Sequence, residues 1–175
     1  MARIDTLLLA VDLHPDSDFI LDRVLNLYAD VRDNIHIVHV IRNGMHDAAH
    51  LLSNFEKDPA MQRRADQYLQ QLNALLLRHD LSLPADQVHL LYGEPACEIK
   101  RLADELDAEL VIVGSRTSRS DWLQLPGTTT NCVIQGIKSD VMAVKVSEQM
   151  GDKLRERAGA KLHDRETEPR AAQSK

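Results

Sequence analysis

The chain has 175 residues with a formal net charge of −6, 43% hydrophobic residues and only 3% aromatic residues. That length fits one domain with appendages, and its core must be built from Leu, Val, Ile and Ala. An acidic chain poor in aromatics is a weak candidate for binding polyanions or for stacking single-stranded nucleic acid, and no apolar run approaches the length of a membrane span.

The first element is read from Ile4 to Val11. Its near-continuous apolar run, Leu7-Leu8-Leu9-Ala10-Val11, fits a strand covered on both faces, and Asp12 closes it. A run this short is neither a leader nor an anchor, so a cytoplasmic protein is expected. Helical spacing follows in Phe19, Ile20, Val24, Leu27 and Val31, with Asp16 or Ser17 placed to cap after Pro15. Ile35 to Ile41 is rich in β-branched residues and forms the second strand, with His39 read as a packed, hydrogen-bonded core histidine. Residues 42–57 read as irregular, with a turn at Asn43-Gly44. Within them His46 and His50 stand four apart, but no third ligand accompanies them, and no metal site is expected.

A long helix is expected from about Pro59 to His79, with one apolar stripe through Met61, Ala65, Tyr68, Leu72 and Leu75. Gln87 to Tyr92 is the third strand. Pro95 sits well in the first turn of a third helix, whose inward face is Ile99, Leu102, Ala103 and Leu106. Leu110 to Val113 is the fourth strand. A helical pattern from about Asn131 carries Val133, Ile134 and Ile137, and Val141 to Val146 is the fifth strand. Strictly alternating strands and helices imply an α/β protein with an open, parallel five-stranded sheet and helices on both faces. The domain is read as residues 1–146. Residues 147–175 form a mixed-charge tail, helical or disordered. Cys97 and Cys132 have no CxxC or metal-ligand spacing and read as free thiols in a reducing compartment.

Between strand 4 and helix 4 lies Gly114-Ser115-Arg116-Thr117, then nine residues, then Gly127-Thr128. A strand, a glycine-bearing turn and a helix N-terminus expose backbone N–H groups to an anion. Arg116 and Arg119 add positive charge. If strands 1 and 4 are neighbours, Asp12 flanks the same crevice and can accept hydrogen bonds from ribose hydroxyls; the alternative is a turn aspartate that only caps the first helix. No G-x-x-x-x-G-K-(S/T) and no G-x-S-x-G is present, so neither an ordinary P-loop nor a serine hydrolase is indicated. An adenylyl-transferring enzyme would need a signature such as H-x-G-H, which His14-Pro15-Asp16-Ser17 does not supply.

The chain resembles the universal stress protein family over about residues 3–146. The resemblance rests on Leu9-Ala10-Val11-Asp12, Val38-His39-Val40, Gly93-Glu94-Pro95-Ala96 and the run Asp107 to Ser115, in this order and spacing. It implies a strand order of 3-2-1-4-5, a sheet of the adenine nucleotide alpha-hydrolase type. It also implies a cytoplasmic regulatory protein that binds ATP, with or without Mg2+, and is at most a slow ATPase with no catalytic set. By resemblance Asp12 would meet ribose, Val40 would offer backbone groups to adenine, and Val113 and Gly114 would line the nucleoside. Arg116, Thr117, Gly127, Thr128 and Thr129 would hold phosphates. ATP-binding members carry G-x2-G-x9-G-(S/T); here Thr117 replaces the second glycine. A threonine is strained where a glycine adopts φ > 0, so the alternative is a dimeric adaptor of the same fold that has lost the nucleotide. The family commonly dimerises through strand 5, which places Val141 to Val146 at an interface between two copies, with a further protein partner unknown.

Overall fold

The computed structural model describes residues 4–28, 32–42, 59–117 and 128–147. The strands are β1 (Leu7–Ala10), β2 (Ile35–Arg42), β3 (Val88–Gly93), β4 (Leu110–Thr117) and β5 (Asp140–Ser147). The helices are α1 (Ser17–Leu27), α2 (Pro59–Arg78), α3 (Pro95–Glu105) and α4 (Thr128–Ile134), with a short 3-10 turn at Ala85–Gln87. All pairings are parallel and the strand order is β3-β2-β1-β4-β5. Among the described residues no helix is long and apolar enough to cross a membrane.

Alternation along the strands explains the continuous apolar runs. Leu7 and Leu9, with Ile35, Ile37 and Ile112, point to the face covered by α1 and α2. Leu8, Val38, Val111 and Val113 point to the face covered by α3 and α4. The central strands therefore feed two cores and present no solvent face, whereas Arg42 at the end of β2 and Asp140, Ala143 and Lys145 of the edge strand β5 are exposed.

The helical faces differ from expectation in detail. In α1 the buried apolar side chains are Ile20, Leu21, Val24 and Leu25, and the helix ends at Leu27, which is 49% exposed. In α2 the deeply buried residues are Leu72, Leu75 and Leu76; Met61, Ala65 and Tyr68 are half-buried. α4 begins three residues earlier than expected. Thr130 then takes an inward position beside Val133, and Ile134, expected inside, is 48% exposed.

Two helices end on an aspartate in the left-handed region rather than on glycine. Asp80, after α2, has φ 50, and Asp107, after α3, has φ 48. The reversal is closed by Leu81 N–H to Leu76 O and by Ala108 N–H to Ala103 O. Asp107→Gly should raise stability by about 0.5–1 kcal/mol, because glycine adopts this φ without Cβ crowding. Urea unfolding checks this; a lower midpoint would mean that the aspartate side chain makes a needed contact.

Candidate functional site

The chain leaves β1 in the direction of β2 and β3, and leaves β4 in the direction of β5. The order thus reverses between β1 and β4, where an open α/β sheet forms a crevice beyond its carboxyl ends. Ala10 pairs with Val38 of β2 on one side and Val113 of β4 on the other. Asp12, two residues past the end of β1, is therefore about level with Val40 in β2 and Gly114 in β4, inside the carboxyl halves of the two flanking strands.

Asp12 lies two residues beyond β1, in the turn to α1, and is exposed. Its Oδ1 accepts the His14 N–H at 3.1 Å and the Ser17 hydroxyl at 3.3 Å. These bonds fix the carboxylate over the first turn of α1, the capping geometry of a short acid. Asp16 occupies the N-cap position of α1 without a side-chain cap bond. Its Oδ2 lies 3.1 Å from His14 Nδ1, at ion-pair distance but without hydrogen-bond alignment. Ser17, 1% exposed, is instead the residue that links helix to turn. Leu13, between Asp12 and His14, has φ 58. A bulky residue there stores strain of about 1–2 kcal/mol, which the packing of Leu13 against the core below offsets.

His39 is the packed histidine expected. It is 6% exposed, its Nδ1 donates to Val11 O at 2.9 Å, and its ring lies 4.8 Å from that of Tyr68. A carbonyl partner fixes the proton on Nδ1. Burial holds the imidazole below its ordinary pKa, opposed by the Val11 bond and the charge of Asp12. His39 thus braces β2 against the residue preceding Asp12.

The glycine segment departs from expectation. β4 does not stop at Val113. It continues through Gly114, Ser115, Arg116 and Thr117, paired with Val144, Lys145, Val146 and Ser147 of β5. Thr117 accordingly sits in extended strand, where a β-branched residue is at ease; the strain expected from a threonine in place of a positive-φ glycine does not arise at this position. Gly114 is also in the ladder. A Cβ there would lie 2.6 Å from Ile20 Cδ1, so the glycine serves the close approach of α1.

α4 returns to the same place. The Thr130 hydroxyl, buried at 1% exposure, donates to Gly114 O at 3.1 Å. This bond brings the start of α4, with Thr128 first and Thr129 second and half-buried, against the crevice side of β4. Of the expected site residues, Val40 is half-buried in β2 and paired with Leu91, and Val113 is buried. Gly127, Arg119 and the His46/His50 pair lie outside the described residues, as does the tail from 148 onward. Thr130, Ser17 and Leu13 are the contributors that sequence reasoning missed. Nothing local singles out Thr130 from Thr128 and Thr129 before the start of α4, and so the phase of the helix, is known.

This architecture matches known proteins. The sequence model of the universal stress protein family aligns with residues 3–145. Universal stress protein A homolog 1 of Coxiella burnetii (strain RSA 493 / Nine Mile phase I) is 26% identical over 145 residues, spanning 81% of this chain and 96% of that protein. Among solved structures, hypothetical protein MJ0577 superposes with a TM-score of 0.62 at 15% identity, covering 84% of this chain and 99% of its own. Universal stress protein UspA from Lactobacillus plantarum superposes at 0.58 with 16% identity, covering 82% and 99%. The structural likenesses establish the fold alone. The family model reaches from before β1 into β5, and the chain belongs to the universal stress protein family.

Proposed function

We propose that this chain binds ATP or a related adenine nucleotide, with or without Mg2+, in the crevice beyond β1 and β4, and acts as a regulatory protein rather than a committed enzyme. The observation that carries the reading is the convergence of Asp12, Val40 and Gly114 at the switch point of the sheet, with the Thr128–Thr130 end of α4 tied to Gly114 by the Thr130 bond. In this reading Asp12 accepts from ribose hydroxyls and backbone groups at Val40 meet adenine. Val113 and Gly114 line the nucleoside, while Arg116, Thr117, Gly127, Thr128 and Thr129 surround the phosphates. The extended backbone at Thr117 supports it, since the threonine is accommodated there without the strain that favoured loss of binding.

The test is equilibrium binding of labelled ATP to the full chain. Saturable binding is expected, weakened about tenfold in Asp12→Ala by loss of one carboxylate–hydroxyl pair. Absence of saturation at millimolar ATP in the parent protein would reject the nucleotide reading and leave a dimeric adaptor of the same fold. We also propose association of two copies through Val141 to Val146 of β5, an edge strand paired only with β4 among the described residues. Sedimentation equilibrium at micromolar concentration should give twice the chain mass.

A further inference from the structure

We propose that Cys97 and Cys132 form a reversible disulfide across the groove between α3 and α4, making this pair a thiol-oxidation site. Both are free and exposed. The two helices each connect parallel strands on the same face of the sheet, so they run side by side in the same direction. Two contacts set their register. Lys100 Nζ donates to Gln135 O at 3.2 Å, and Lys138 Nζ lies 3.2 Å from Asp104 Oδ1. Cys97 is three residues before Lys100 and Cys132 three before Gln135, so both cysteines lie towards the N-terminal side of that contact on their own helices.

Handedness places them on facing flanks. The inward direction of α3 is set by Ala96, Ile99, Leu102 and Ala103. Viewed from the N-terminus, Lys100, Asp104 and Cys97 lie roughly 90°, 130° and 150° clockwise of it. Lys100 and Asp104 touch Gln135 and Lys138, which follow α4 on the way to β5, so α4 lies on that side. From α4, α3 therefore lies counterclockwise of the inward residues Thr130 and Val133. Thr129 and Cys132 project there, at roughly 70° and 130°. Thr129 is half-buried low on this flank and Cys132 is exposed at its outer rim, where an oxidant can reach it. A disulfide needs Cβ atoms about 3.5–4.5 Å apart. Oxidation therefore requires the α3–α4 groove to bring the two Cβ atoms to that separation, with α4, a helix of seven residues, as the element that moves.

The oxidant is a small-molecule disulfide such as oxidised glutathione. One cysteine thiolate attacks it, forming a mixed disulfide and releasing one glutathione thiolate. The second cysteine, deprotonated, attacks the protein-bound sulfur and releases the second. The protein loses two electrons and two protons, and the glutathione disulfide becomes two thiols. Nothing in this exchange requires a nucleotide.

The test is intact-mass analysis of the full chain after equilibration in glutathione redox buffers at pH 8. A monomer lighter by two hydrogen atoms, restored by reductant and absent in Cys97→Ser and in Cys132→Ser, is expected. The equilibrium constant for closure should be at least roughly tenfold higher for the folded chain than in denaturing guanidinium, because the fold holds the thiols near each other. Only mixed disulfides or covalent dimers, or a constant no higher than in denaturant, would overturn the proposal.

Discussion

Replacing His79 by alanine should destabilise the protein by about 2–3 kcal/mol near pH 6, and by less as the pH rises through its raised folded pKa. His79 follows α2 and its side chain is 8% exposed. Its Nε2 lies 2.9 Å from Asp18 Oδ1 and its Nδ1 2.8 Å from Asp22 Oδ1, so the imidazolium donates to two carboxylates one turn apart on α1. Arg78 adds a two-pronged bond to Asp18, from Nε at 2.8 Å and Nη2 at 2.9 Å. The bond to Asp18 raises the His79 pKa, with burial opposing and the charges of Asp22 and Asp18 assisting. Burial pushes the Asp18 carboxyl up, but the bonds from His79 and Arg78 outweigh it and bring it down to about 2.

The signs of the two shifts define a window. A histidine whose folded pKa is raised contributes stability that is fully present below its unfolded value of 6.5 and is lost as pH rises through the folded value. A carboxyl brought down from 3.8 to about 2 contributes stability present above 3.8 and lost as pH falls through about 2. The α1–α2 clasp is therefore strongest between about pH 4 and 6.5. Other histidines act oppositely. Burial lowers His36, His39 and His89, so the fold loses their contribution as pH falls below 6.5. The quantity to measure is thus the parent-minus-variant difference in urea unfolding free energy across pH 5 to 9. A difference independent of pH would mean that His79 acts by packing alone.

The scaffold was readable in the chain because strand burial on two faces leaves so strong a mark. Leu7 to Val11 and Leu110 to Val113 are unbroken apolar runs and Ile35 to Ile41 is interrupted only by His36 and His39, which, with their short length and β-branched content, fits strands of a sheet buried on both sides. The element order then fixed the direction of the strands. Two features were hidden for a common reason: each depends on contact between segments distant in sequence. The continuation of β4 to Thr117 is dictated by its pairing with β5, and nothing local to Gly114-Ser115-Arg116-Thr117 favours strand over turn. The earlier start of α4 brings Thr130 to Gly114 O, and a buried threonine hydroxyl is recognisable only once its acceptor is in place. Asp12 shows the converse. Its position after the strand was legible, yet its bonds to His14 and Ser17 serve the α1 turn on their own, so the residue type alone did not separate a turn role from a ligand role.

Gly114 raises the same ambiguity, and a double-mutant cycle resolves it. Gly114→Ala should destabilise by about 1–3 kcal/mol, the range for inserting a methyl into a packed interior. The obstacle is one atom, Ile20 Cδ1, 2.6 Å from the new Cβ, on a side chain that is 4% exposed. Ile20→Val removes that atom and alone should lower stability by about 0.5–1.5 kcal/mol. The double variant should then be more stable than the sum of the two changes predicts, by about 1 kcal/mol or more. Additivity would show that the strain resides in backbone shifts at β4 rather than in the Ile20 contact. ATP binding to the same four proteins separates the two reasons for a glycine here. If the residue is needed only so that α1 can approach β4, affinity recovers with stability in the double variant. If the nucleotide itself must lie against the Gly114 backbone, the methyl group still blocks it after Ile20 has been trimmed, and affinity stays low while stability returns.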